Sequence, residues 1–69
     1  MAISYKKLWK LLIDKDMTAV ELRQATGIAP NTMTKLRRDE EVSLSVLIKI
    51  CSVLEVNIGD VMDLIPDVR

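Results

Sequence analysis

Residues 17 to 38 read MTAVELRQATGIAPNTMTKLRR, and this stretch decides the fold. Thr18 followed three positions later by Glu21 is a capping box, in which the hydroxyl accepts a backbone N–H and the carboxylate reaches back to the cap. A helix therefore starts there and runs through Val20, Leu22 and Ala25 to Gly27, which suits the left-handed backbone position that ends a helix. It is about two turns long. Pro30 is well placed as the first residue of the next helix, where its missing N–H is no loss, so only a three-residue turn separates the two. The second of these helices, Pro30 to Arg38, has Met33 and Leu36 on one side and Asn31, Thr34, Lys35 and Arg38 on the other.

Upstream, MAISYKKLWKLLIDK carries Tyr5, Leu8, Trp9 and Leu12 at helical spacing, which predicts a helix from Ser4 to Lys15. Tyr5 and Trp9 are expected to fill the core rather than stack on bases. The same stretch lacks an uninterrupted apolar run and a small-residue cleavage site, so no signal peptide is expected. Downstream, Asp39-Glu40-Glu41 reads as a solubilising acidic loop. Ser43 then caps a fourth helix whose Leu44, Leu47, Ile50, Cys51 and Leu54 form an apolar stripe. Asn57 is placed to cap a short fifth helix, Ile58 to Leu64, with Pro66 stopping it. No internal repeat or strand alternation is visible. The expectation is an all-α, five-helix bundle in a single domain spanning residues 1–69.

Composition bounds the function. The chain has 69 residues, and a core of that size supplies roughly 3 to 5 kcal/mol of net stability. No run approaches the roughly 18 apolar residues of a membrane span, so no membrane partner is expected and the cytoplasm is the natural compartment. A single cysteine, Cys51, forms no internal disulfide, and with no histidine the usual zinc spacings are absent, so neither metal nor cofactor is expected. On the apolar stripe Cys51 reads as a small buried hydrophobe before a redox sensor. There is no phosphate-cradling glycine loop and no carboxylate pair placed for acid and base work, which argues against an enzyme and leaves no catalytic residue to name.

Net charge is zero, but the distribution is not even. Residues 1 to 38 hold eight basic side chains against three acidic ones, a net +5, and residues 39 to 69 a net −5. A basic half suits a nucleic-acid partner.

Two short helices joined by a tight turn at a glycine form a helix-turn-helix, in which the first crosses the phosphate backbone and the second enters the major groove. On this reading Asn31 and Lys35 are the best base readers, since Asn can engage adenine and Lys can donate to guanine, with Thr34 and Arg38 seconding them. Thr18, Thr32 and Arg37 carry donors suited to phosphate oxygens. Arg23 receives no role.

MTAVELRQATGIAPNTMTKLRR resembles the helix-turn-helix of the Cro and phage-repressor type, the XRE family of bacterial regulators, and SLSVLIKICSVLEVNIGDVMDLIP resembles that family's fourth and fifth helices. The LRQATGI run also resembles a subgroup of very small stand-alone regulators, including ones found in bacterial resistance operons. The resemblance implies a lambda-repressor-like fold with the helix-turn-helix at about residues 18 to 38. It also implies groove contacts from Asn31, Thr34, Lys35 and Arg38, and backbone contacts near Thr18 and Thr32. The chain departs from the family pattern at three positions. Arg23 stands where alanine is commoner, Ala29 where a serine or threonine cap is, and Pro30 where a contact residue is.

The expected partner is double-stranded DNA carrying an inverted repeat, bound by a homodimer, because paired half-sites need two copies. Val61, Met62 and Ile65 either finish the monomer core or form the dimer interface. The competing expectation is a protein-interaction module, such as an antitoxin or anti-activator, that binds another protein through the apolar and acidic half.

Overall fold

The computed structural model describes residues 1–66, which form β1 (Ala2–Ser4), α1 (Lys6–Asp14), α2 (Ala19–Thr26), α3 (Pro30–Arg37), α4 (Leu44–Leu54), a 3-10 turn (Ile58–Asp60) and β2 (Asp63–Ile65). The charges of Asp67 and Arg69, counted in the acidic half, lie outside the described residues.

The starts of α2 and α4 follow from their caps. Thr18 Oγ1 accepts the Glu21 N–H at 3.1 Å, and the Glu21 carboxylate accepts the Thr18 N–H at 3.0 Å. Met17 and Leu22 occupy the two positions of a hydrophobic staple around that cap, Leu22 in the core and Met17 packed against it. At α4, Ser43 Oγ accepts the Val46 N–H, with Val42 and Leu47 in the equivalent staple positions. α3 begins at Pro30 with no side-chain cap on Ala29.

The helix ends share a different device. α2 closes on Gly27 in the left-handed region, φ 71°, with its N–H donating to the Arg23 carbonyl at 2.8 Å. In α1, α3 and α4 the equivalent left-handed residue is Asp16, Asp39 or Glu55, at φ 57°, 56° and 56°. Each is followed by a backbone N–H that reaches five residues back: Met17 to Leu12, Glu40 to Lys35 and Val56 to Cys51. These are Schellman closures built without glycine.

The C-terminal segment corrects the five-helix expectation. The Asp60 carboxylate accepts the Asn57 N–H at 3.0 Å, so Asn57 does start a helical turn, but that turn closes after Asp60. Asp63–Ile65 then pairs antiparallel with β1, placing Ala2 opposite Ile65, Ile3 opposite Leu64 and Ser4 opposite Asp63. The backbone groups that a fifth helix would have satisfied internally go to the sheet instead. β1 also shortens α1, because Ser4 is a strand residue and the helix starts after Tyr5. The described residues therefore hold four α-helices and a two-stranded sheet.

One cluster forms the core: Tyr5, Leu8 and Leu12; Leu22; Ile28; Met33 and Leu36; Leu47, Ile50 and Leu54; and Val61. Trp9 and Cys51 are half-buried against it. Val20, Ala25 and Leu44, read as apolar positions of their helices, are exposed. Val61 is wholly buried, so of the three residues named for a dimer interface it belongs to the monomer core.

Two outcomes test this account. Glu55→Gly removes a left-handed strain of about 1 kcal/mol and should raise the melting temperature by roughly 4 to 8 °C, whereas Asp39→Gly lacks this gain because it also removes an acceptor for the Tyr5 N–H. Gly27→Ala should lower it by a similar amount through backbone strain alone, since a Cβ there meets no atom within 4 Å.

The capping box makes a separate prediction. Its hydrogen bonds from Thr18 hold the Glu21 carboxyl below its ordinary value. The associated stability is present above the unfolded carboxylate pKa of about 4.3 and is lost as pH falls through the depressed folded value. Acid titration of the melting temperature should show this loss in the parent and not in Glu21→Gln.

Candidate nucleic-acid interface

α2, the turn around Gly27 and α3 form the helix-turn-helix unit, anchored to the core by Leu22, Ile28, Met33 and Leu36. With Met33 and Leu36 turned inward, Asn31, Thr34, Lys35 and Arg38 are all exposed along the opposite side of α3 and its C-cap. The four residues named as base readers thus share one solvent-facing surface. Thr34 Oγ1 donates to the Pro30 carbonyl at 3.3 Å, which leaves its lone pairs open to a donor. Arg38 Nη1 lies 3.9 Å from a Glu40 carboxylate oxygen, both side chains largely solvated, an ion pair of little strength.

Thr18 is exposed at the start of α2, where its oxygen is engaged by the Glu21 N–H. Thr32 is half-buried. Arg37 is exposed and lines a shallow cleft between α2 and α3 together with Arg23, Val20, Met33 and Thr34. Arg23, to which the sequence assigned no role, thus shares a seam with Arg37, and no acidic residue lines it. Its position one residue after buried Leu22 signals only that it leaves the core; its neighbour across the seam is a tertiary fact.

Two other charged groups prove to be structural. Lys7, counted in the basic half, pairs with Asp63 at 3.0 Å and donates to the Gly59 carbonyl at 3.1 Å, tying α1 to the C-terminal segment. The acidic loop after α3 does more than solubilise. Asp39 Oδ1 accepts the Tyr5 N–H at 2.9 Å, and the Tyr5 hydroxyl donates to the Glu40 carbonyl at 2.9 Å. Burial, reinforced by Asp39 and Glu41, pushes the Tyr5 phenol above its ordinary pKa against the opposing effect of a backbone hydrogen bond at Val42, which keeps it a donor at neutral pH.

Burial, and secondarily Asp60, raises the Cys51 thiol, which keeps it protonated and unlike a reactive thiolate. No group of three or more His, Cys, Asp or Glu among the described residues is placed to hold a metal ion. No described helix is long and apolar enough to cross a membrane.

A helix-turn-helix with an exposed polar face on its second helix defines a class, and the comparisons agree on it. The model of the Cro/C1-type HTH DNA-binding domain matches residues 7–67, and the chain belongs to that family, which is one of DNA-binding domains rather than of enzymes. Among solved structures, the crystal structure of transcriptional regulator VanUg is similar, with 48% sequence identity and a TM-score of 0.92 over 96% of this chain and 88% of that one. Comparison with curated proteins gives no match.

The division between structural and free cations is directly testable. Lys7→Met removes a half-exposed ion pair and should lower stability by at most about 1 kcal/mol. Its affinity for DNA, measured by fluorescence anisotropy well below the melting temperature, should match the parent's. A loss as large as that of Arg38→Ala would place Lys7 on the DNA-facing surface instead.

Proposed function

We propose that the protein is a sequence-specific, DNA-binding regulator of transcription that inserts α3 into the major groove. The observation that carries this reading is the exposed row Asn31, Thr34, Lys35 and Arg38, held rigidly from behind by buried Met33 and Leu36. Asn31 and Lys35 read base edges, seconded by Thr34 and Arg38, while Thr18, Thr32 and Arg37 contact phosphates and set register. Arg23, beside Arg37 at the helix seam, adds to the phosphate-facing charge. The solved transcriptional regulator, at 48% identity over nearly the whole chain, supports carrying this role over.

The protein acts in the cytoplasm as a homodimer on an inverted repeat with half-sites about 34 to 36 Å apart. Met62 and Ile65 remain candidates for the dimer contact; Ile65 is 46% exposed on β2 beside the more open Leu64, whereas Val61 has no surface to offer. A second reading, a module that binds another protein, is favoured by one feature. An open groove along α4 is lined by Leu44, Ile48, Cys51 and Ile58 and bordered by Glu55 and Asp60.

Titration of the protein against DNA from its own upstream region, from low to moderate salt, tests the DNA reading. Binding should be selective, with log K falling linearly in log salt by about 0.9 per phosphate neutralised. Lys35→Ala and Arg38→Ala should each weaken selective binding by about 1 to 3 kcal/mol. Folded protein that prefers no DNA, with variants that behave like the parent, sinks the groove-reading proposal and favours the protein-binding one.

A further inference from the structure

The reading helix ends in an unusual junction. Asp39 stands in the left-handed region at φ 56°, and the Glu40 N–H closes back on the Lys35 carbonyl at 2.9 Å, so Asp39 and Glu40 are fixed to the last turn of α3. The same two residues are also held by Tyr5. Its backbone N–H donates to Asp39 Oδ1, and its hydroxyl donates to the Glu40 carbonyl, both at 2.9 Å. Tyr5 is itself locked in place: it is 1% exposed, and its carbonyl accepts the N–H groups of Leu8 and Trp9 at the first turn of α1. An unbroken path of hydrogen bonds thus runs from the start of α1 through Tyr5 and Glu40 to the carbonyl of Lys35.

We propose that Tyr5 is a positioning residue for DNA recognition: by holding Asp39 and Glu40 it fixes the last turn of α3, and with it the placement of Lys35 and Arg38 against the bases. This rests on the reading of α3 as the groove helix and adds to it a determinant that touches no DNA. Met33 and Leu36 anchor α3 from the core side, but Arg37 to Glu41 are all exposed, and the next residue packed against the core is Val42. Leu36 seats the turn, while the exposed junction that follows it, and with it the end of the turn that carries Lys35 and Arg38, draws its alignment from the polar contacts at Asp39 and Glu40. A bidentate contact to a base tolerates little displacement, so a loosened turn costs selectivity before it costs nonspecific affinity.

The test is Tyr5→Phe, which keeps the buried ring and removes the hydroxyl, assayed well below its melting temperature. Affinity for the preferred site should fall by about fivefold or more, with relaxed base preference at the positions read by Lys35 and Arg38. Nonspecific affinity and the salt slope should be unchanged, as a merely destabilising substitution would leave all of these quantities. Amide exchange at Glu40 should accelerate while that at Ile50 does not. Should Tyr5→Phe fail to fold, the pair Asp39→Asn and Asp39→Gly serves, because both remove the charge and suit the left-handed backbone, and only Asn keeps an acceptor for the Tyr5 N–H. Asn should retain the parent's selectivity and Gly should lose it.

Parent-like selectivity in folded Tyr5→Phe, or equal behaviour of the two Asp39 variants, overturns the inference. A parent protein that itself shows no DNA selectivity sinks the functional reading and this inference with it, an outcome distinguishable from a selective parent whose Tyr5 variant is unaltered.

Discussion

Leu22, Leu36 and Ile50 come from three different helices, belong to one cluster, and are each wholly removed from solvent. Truncating a buried leucine or isoleucine typically costs about 2 to 5 kcal/mol, comparable with the whole net stability of roughly 3 to 5 kcal/mol that a core of this size provides. With a lone cysteine and no histidine, the chain has no internal disulfide to share that burden. The packing that keeps the domain folded is thus the same packing that sets α3 against α2. A displacement of α3 large enough to change its outward surface would open the core. The rigidity that the proposed reading of base edges requires of this surface follows from the economy of the core.

Because the net stability is so small, the helix ends carry a large share of the design. α2 and α4 start on side-chain caps, and in the short turn after Asn57 the Asp60 carboxylate accepts the cap N–H as Glu21 does at α2. Three helices finish on an acidic residue in the left-handed region, a conformation that costs a side chain about 1 to 2 kcal/mol relative to glycine. Only at Asp39 does the structure show a return, the hydrogen bond to the Tyr5 amide. Among the described residues, no such bond offsets the strain at Asp16 or Glu55.

What could be read from the sequence was local. Thr18 with Glu21, Gly27, Pro30 and Ser43 each act through a backbone group within a few residues, so α2, α3 and α4 were legible together with the inward set Leu22, Met33 and Leu36. The two strands were not. Three residues are too few to show alternation, and their pairing joins Ala2–Ser4 to Asp63–Ile65 across nearly the entire chain. Val61, Met62 and Ile65 have a spacing that a helix would also produce, and it took the sheet to show that Val61 reaches the core from a turn. The candidate site divides in the same way. Its outward row followed from helical periodicity, while the Arg23–Arg37 seam, the Lys7–Asp63 pair and the Tyr5 bonds to the acidic loop depend on tertiary approach. Leu44 misled for a related reason: it satisfies the period of α4 but lies at its first turn, where the core has already ended.

Zero net charge looks unfavourable for an anionic partner, and the placement of the acids resolves the difficulty. Glu21, Asp39 and Asp60 accept backbone N–H groups at or near helix starts, where the helix dipole favours negative charge, and Asp63 is matched by Lys7. These carboxylates are engaged within the fold, whereas Arg23, Lys35 and Arg37 face solvent or the α2–α3 seam without an acidic partner among the described residues. At physiological ionic strength charges more than about 8 Å away are largely screened, so an approaching phosphate responds to the cations it meets and not to the sum over the chain. Acids that serve as caps let a small domain start its helices firmly while its basic side chains remain available, and a formal balance of charge is then compatible with a locally positive surface on the helix-turn-helix.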